Sequence, residues 1–263
     1  MLKYMAIAKG EFLSRLSYRV GAIFTSLSNI LFLLLTYYLW RAIYNNDAVI
    51  NGMNFNQTIL YLTMASTLFY FYRTNIDWKV SLLINTGDLA CYMTKPLNLQ
   101  LRIMFQAIGL ALLNFFTSSL PAILVISLLL KFDFPVSSYI PYFFIAAILA
   151  FLITFNVDYT VGIIAFYTES IWGINAAKEA IVLMLSGALI PLNFFPNSLR
   201  FFLEFVPFQA IYHTPMKILT DPEISAASCV RLISIQFLWV FLLFLINKIL
   251  TAQALKSVKY NGG

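Results

Sequence analysis

The chain has 263 residues, of which 61% are hydrophobic and only 11% charged, against roughly 25% charged in a soluble globular domain. Its mean hydropathy is +0.82. That is more apolar surface than a water-soluble fold of this size could bury, which excludes a soluble enzyme, a disordered chain and a disulfide scaffold and points to a polytopic, all-α integral membrane protein. The net charge is +6, and in so apolar a chain the basic excess should follow the membrane surface rather than nucleic acid.

Residues 2–20 are not a span, since they carry Lys3, Lys9, Glu11, Arg15 and Arg19. At 100° per residue Leu2, Met5, Phe12, Leu13, Leu16 and Val20 fall on one side and most of the charge on the other, with Ile7 and Lys9 breaking the pattern. This predicts an amphipathic helix in the membrane interface, with a solvated helical start as the plainer alternative. The first apolar run begins near residue 20, exceeds 20 residues and lacks an A-x-A-like exit, so it is expected as a span and not as a cleaved leader.

Six hydrophobic segments are expected: about 21–43, ending in an aromatic belt of Tyr37, Tyr38, Trp40 and Tyr44; about 57–77; about 103–130, with a kink at Pro121; about 140–165; one from near 177, interrupted at Pro191; and about 228–250. Placing the N-terminus inside puts twelve of the 17 basic residues on the cytoplasmic side and five (Arg41, Lys131, Arg200, Lys217, Arg231) outside. Both termini are therefore expected in the cytoplasm. That topology puts Cys91 and Cys229 on opposite faces and leaves Lys178 and Glu179 on the cytoplasmic side with no special role. The layout is one membrane domain over 1–263: an interfacial helix at 1–20, a cytoplasmic loop at 78–102 and a broken outer region at 191–219. No P-loop pattern GxxxxGK[ST] occurs in the sequence.

Three local features stand out. In the 78–102 loop, Gly87 can break the helix leaving the membrane, Asp88 can cap a short second helix through its side chain, Lys95 suits that helix's last turn and Pro96 stops it. Leu89, Tyr92 and Met93 would then face a partner or the headgroup layer, or the loop is an ordinary connector. Beyond Pro191, the prolines at 196, 207 and 215 forbid one straight helix, yet Phe194, Phe195, Phe201, Phe202 and Phe205 keep the stretch apolar. Short re-entrant helices forming an outer gate are expected, against a membrane-hugging loop. Asp158 is the clearest ionisable residue inside a span; it either serves function or pairs with a Lys or Tyr of a neighbouring helix. His213 reads as a hydrogen-bonding residue.

These features together resemble the bacterial ABC-2 type (type-2 exporter) permease, the stand-alone six-span branch. The strings Phe166-Tyr-Thr-Glu-Ser-Ile-Trp-Gly173, Leu185-Ser-Gly-Ala-Leu-Ile-Pro-Leu-Asn-Phe-Phe-Pro196, Thr86-Gly-Asp-Leu89, Thr94-Lys-Pro-Leu-Asn98 and Tyr260-Asn-Gly-Gly263 carry the likeness. The resemblance implies an exporter permease in the bacterial inner membrane that forms its pathway with a second permease, identical or homologous, among membrane lipids. It further implies two separate ABC ATPase subunits that carry ATP and Mg, with no cofactor, catalytic residue, ATPase site or nucleic acid on this chain. The family's coupling helix falls on Gly87, Asp88, Leu89, Tyr92, Lys95 and Pro96. Its re-entrant turn falls on Pro191, Phe194, Phe195, Pro196 and Pro207. The cargo is expected to be hydrophobic or amphipathic. Two other classes compete. A self-sufficient secondary carrier or channel would need broken helices in matching halves, and Pro121 is a poor counterpart to the Pro191–Pro215 run. An intramembrane enzyme would need partners around Asp158 or His213.

Overall fold

The computed structural model describes residues 1–17, 19–45, 49–94, 97–130 and 138–257. Their regular structure is helical apart from one minimal hairpin, β1 (Val49–Ile50) with β2 (Met53–Asn54), paired antiparallel. The helices are α1 (Leu2–Leu16), α2 (Arg19–Tyr44), α3 (Phe55–Tyr72), α4 (Ile76–Asn85), α5 (Leu89–Met93), α6 (Leu99–Asn114), α7 (Leu120–Leu130), α8 (Ile140–Ile163), α9 (Trp172–Leu185), α10 (Asn197–Leu203), α11 (His213–Thr220) and α12 (Ala226–Ser257). Among the described residues, four stretches are long and apolar enough to cross a membrane: Val20–Tyr44, Leu99–Leu128, Ile140–Phe166 and Ala226–Lys256. The other two expected segments differ in a physical way. Helix α3 has 18 residues and buries the polar side chains Thr58, Thr63, Ser66 and Thr67 along its length. Helix α9 has 14 residues, a length of about 21 Å at 1.5 Å per residue.

Helix α3 begins at a capping box, in which the Asn54 side chain accepts from the Gln57 backbone amide and Gln57 answers with its own side chain. It packs with α8 around Tyr61, Ala65, Leu68, Tyr72, Ala147, Phe151 and Ile153, all buried. Buried polar groups tie the other helices to this pair. The Gln236 amide of α12 donates to the carbonyls of Ala146 and Ala210. Asn247 donates to the backbone and side-chain oxygens of Asn156, which also accepts from Gln100. Ser66 donates to Asn29. Such side-chain bonds hold membrane helices together where lipid gives no hydrophobic drive.

The expected disturbance at Pro121 takes the form of a π-helical turn at Phe115–Ser119, joining α6 to α7. A proline lacks the N–H for the preceding turn and its ring would clash with the carbonyl four residues back, which a widened turn relieves. The Ser119 hydroxyl donates to the Thr67 carbonyl there.

Helix α1 docks along α6. Tyr4 stacks on Phe105 at 5.3 Å between centroids, its hydroxyl accepts from the Asn98 amide, and the Ala8 carbonyl lies so close to Gly109 that a Cβ there would sit 2.2 Å from it. The protein-facing side of α1 thus carries Tyr4, Ile7, Ala8 and Glu11, all half-buried, which places the Ile7 that breaks the amphipathic pattern. Leu2, Met5, Leu13 and Leu16, from the apolar side read in the sequence, are exposed.

The region expected to be broken is so: a 3₁₀ turn at Leu192–Phe194, α10, a second 3₁₀ turn at Pro207–Ala210, and α11. Pro191 is buried, Phe194 packs edge-on to Trp40 at 4.9 Å, and Phe195, Pro196 and Pro207 lie on the turns between the short helices. Trp40, Tyr44 and the hairpin therefore share one end of the bundle with this region, and α4 with α5 lies at the other.

Helix α4 meets α8 at Gly162, where a Cβ would fall 2.7 Å from the Val80 Cβ and 3.0 Å from the Asp77 carbonyl oxygen. Gly10, on α1, has nothing within 4 Å of the same atom. Gly162→Ala should therefore destabilise by about 1–3 kcal/mol through overpacking, while Gly10→Ala should be neutral or gain a few tenths. Thermal unfolding of the two variants in detergent checks the contrast.

Candidate functional site

The site lies where α4, α8 and α9 converge. Helix α3 ends at Tyr72, and Asn75, in the left-handed conformation (φ 50°, ψ 41°), turns the chain into α4. The segment expected to run helically to about residue 77 is therefore interrupted, and the stretch expected as loop from residue 78 opens within helix α4, with Ile76, Asp77, Val80 and Ser81 buried. Asp77 sits in the first turn of α4, where the helix dipole favours a carboxylate, and its Oδ1 accepts the Trp78 amide at 2.8 Å.

Lys178 of α9 joins two carboxylates. Its Nζ donates to Asp77 Oδ2 and to Asp158 Oδ1, each at 2.7 Å. The side chains of Lys178, Asp77 and Asp158 are 13%, 2% and 10% exposed, so the cluster is largely dry and the charges cannot rely on water. Ionised, it carries net −1. It borders a pocket of about 60 Å³ lined also by Tyr72, Arg73, Thr154, Glu179 and Tyr212. Asp158 is thus a paired carboxylate, with a lysine of a neighbouring helix as its partner. Lys178, expected to need no special role, is the centre of the cluster, and Asp77 was not singled out at all. One signal was in the sequence: Ile171, Asn175, Lys178 and Val182 recur at helical spacing, which puts the cation on the inward face of an otherwise apolar segment.

A second ion pair holds the other side of α4. Lys79 Nζ lies 2.7 Å from Glu11 Oε2 of α1, and Arg15 Nε lies 3.8 Å from Glu11 Oε1. Two residues apart on one short helix, Asp77 ties α4 to α8 and α9 while Lys79 ties it to α1.

Helix α4 passes into α5 through Gly87, whose φ of +78° is a conformation that L side chains rarely adopt. The expected cap by Asp88 is absent. Asp88 is already helical (φ −60°, ψ −18°), whereas a capping residue needs extended backbone; its Oδ2 accepts the Thr86 hydroxyl instead, at 2.8 Å. Leu89 is 6% exposed and anchors α5 rather than presenting itself for docking. Tyr92 is half-buried under the Arg102 guanidinium, 3.7 Å from the ring centre. Asp88, Ala90, Cys91 and Thr94 are exposed. Lys95 and Pro96 lie outside the described residues, as do Lys131 and the terminal Tyr260-to-Gly263 string. At the other end His213 accepts or donates a long contact to buried Tyr61, 3.4 Å from Nδ1 to the hydroxyl. No group of three or more metal-binding side chains occurs among the described residues.

The ion cluster gives an ordered set of stabilities. Lys178→Met leaves two buried carboxylates without their cation, and should cost about 3–5 kcal/mol. Asp77→Asn or Asp158→Asn each leaves a one-to-one pair and should cost less. The triple substitution, which removes every charge, should recover most of the loss. Equilibrium unfolding of the five proteins checks the order.

A family model described as ABC-2 family transporter protein matches residues 30–262. No curated protein matches the chain. The match takes in α3 to α12, hence the cluster, the Gly87 turn and the broken region, and agrees with four helices able to cross a membrane. The chain belongs to the ABC-2 transporter family, as a permease of that type.

Proposed function

We propose that this chain is the membrane subunit of an ABC exporter, driven by two copies of a separate ATPase that dock on the exposed residues around α5. The observation that carries the reading is mechanical. Helix α4 runs into α5 on one side and is held at Asp77 and Lys79 to α8, α9 and α1 on the other. A displacement of α5 has a stiff, charged route into the bundle. Family membership implies an ABC ATPase partner, and the sequence has no P-loop of its own. ATP and Mg would sit on that partner.

In this reading α3 and α9 complete six crossings with both termini in the cytoplasm, in a bacterial inner membrane. A second permease, identical or homologous, supplies the other wall of the pathway. ATP binding closes the ATPases, α5 moves with them through Gly87, Asp88, Leu89, Tyr92, Lys95 and Pro96, and α4 carries the motion to Asp158 and Lys178. The turns at Pro191, Phe194, Phe195, Pro196 and Pro207 form the outer gate. The cargo is hydrophobic or amphipathic. A secondary carrier is the second reading, and the buried Asp77–Lys178–Asp158 cluster is what favours it, since intramembrane ionisable groups often mark ion pathways.

One purification separates the two. The tagged chain, extracted gently from its native membranes, should bring down a stoichiometric P-loop ATPase. Gly87→Pro or Asp88→Arg should release that ATPase while the chain itself stays monodisperse. A preparation without any ATPase, from membranes whose other ABC complexes survive the same extraction, would contradict the exporter reading and make the ion cluster the transport site of a carrier.

A further inference from the structure

The hairpin end of the bundle holds a cavity of about 260 Å³ whose wall includes Gln57, Asn193, Arg200, His213, Lys217 and Asp221. It is assembled from four separate pieces of chain: the hairpin with the first two turns of α3, the 3₁₀ turn after Pro191, α10, and α11 with its C-terminal end. Its charge is the notable part. Among the described residues neither Arg200 nor Lys217 has a carboxylate oxygen within 4.0 Å. Lys217 is half-buried and Arg200 exposed. The one acid of the wall, Asp221, has its Oδ1 engaged by the Glu223 amide at 3.0 Å. Gln57 spends its side-chain oxygen on the Asn54 amide, which leaves its N–H groups free to donate.

The result is a donor-rich wall with two cations against one partly engaged carboxylate. Unpaired cations that share a cavity repel one another unless an anion joins them, and Arg with Lys is the pairing that recognises phosphate oxygens. The position sharpens this. The face expected to be external is the one where basic residues are disfavoured, and two of the five assigned to it meet in this one cavity. The size suits a headgroup and not a whole amphiphile, since sites for drug-sized ligands run about 300–1,000 Å³. Exposed Phe201, Phe202 and Phe205 on and just after α10 stand beside it in the fold, an apolar flank for acyl chains.

We infer that this cavity binds a phosphate-class anionic headgroup, through Arg200 and Lys217, at the end of the bundle opposite α5. The binding does not depend on the exporter reading; only the leaflet it would face does.

The test is thermal stability of the purified full-length chain, with its partner if one copurifies, in a neutral detergent. The probes are dioleoylphosphatidylglycerol, dioleoylphosphatidylcholine and sodium phosphate. Phosphatidylglycerol should raise Tm by about 3–6 °C at saturation, with phosphatidylcholine doing far less. A rise with phosphatidylglycerol alone identifies a lipid headgroup as the source; a comparable rise with sodium phosphate at matched ionic strength identifies a soluble anion. Arg200→Ala with Lys217→Ala should abolish the shift, and Arg200→Ala alone, at an exposed position, should weaken binding at least fivefold without disturbing the fold. The control pair Arg41→Ala with Arg231→Ala, basic residues outside the cavity, should leave the shift intact. No shift with either anion would overturn the inference. So would a shift that survives loss of Arg200 and Lys217, or one that disappears equally in the control pair.

Discussion

Lys178 holds two carboxylates at once, and through them it ties α9 to both α4 and α8. Apart from this cluster, α9 offers the bundle only a narrow inward line through Asn175 and Val182, while Trp172, Ile181 and Met184 stand exposed. Two buried acids and one buried base make a demanding arrangement. The desolvation of each charge has to be offset by geometry, and both bonds here are 2.7 Å. Such a cluster adds little stability over a well-packed apolar one. What it adds is directionality: α4, α8 and α9 can sit in only the register that brings all three side chains together.

The close approach at Gly162 serves the same register. One turn separates Gly162 from Asp158 on α8, so the backbone of α4 comes near just where Asp77 must reach. On the far side of α4 the Glu11–Lys79 pair brings in α1, which itself lies along α6. Helix α4 is thereby a crosspiece between the N-terminal helix and the second half of the bundle. The hairpin end is organised differently. Aromatic packing of Trp40, Tyr44 and Phe194 and hydrogen bonds from the Tyr44 hydroxyl hold it, and its short helices enclose a polar cavity. One end is tied by charge, the other by rings and turns.

Much of this was legible in the residues. Apolar run length located the long helices, Gly87 marked the turn into α5, and four prolines in an apolar stretch forecast the broken region, because each signal is local. The misses are of another kind. Asn75 turns the chain from α3 into α4 through a left-handed conformation that no glycine or proline announced. Asp88 reads as a helix cap by residue type, but its backbone had already entered the helix. The Leu2–Leu16 stripe marked an apolar face, yet the protein-facing side of α1 is the one with Tyr4, Ile7, Ala8 and Glu11, since Gly109 lets α6 approach Ala8. Lys178 and Asp158 are 20 residues apart and Lys178 and Asp77 are 101 apart, so their meeting is a property of the tertiary fold alone. A lone lysine near a span end is as easily a solvated residue as a buried one until the helix carrying it is placed.

In the proposed transport cycle Lys178 passes motion from α4 to α9. Hydrogen exchange in the reconstituted complex, with and without nucleotide trapped on the ATPase partner, measures it directly when wild type is compared with Lys178→Met. In wild type, trapping should change protection in α4 and α5 and also in α9. In the variant the change in α4 and α5 should persist while that in α9 is lost. An α9 response of equal size in both proteins would contradict the account and reduce the cluster to a structural pin.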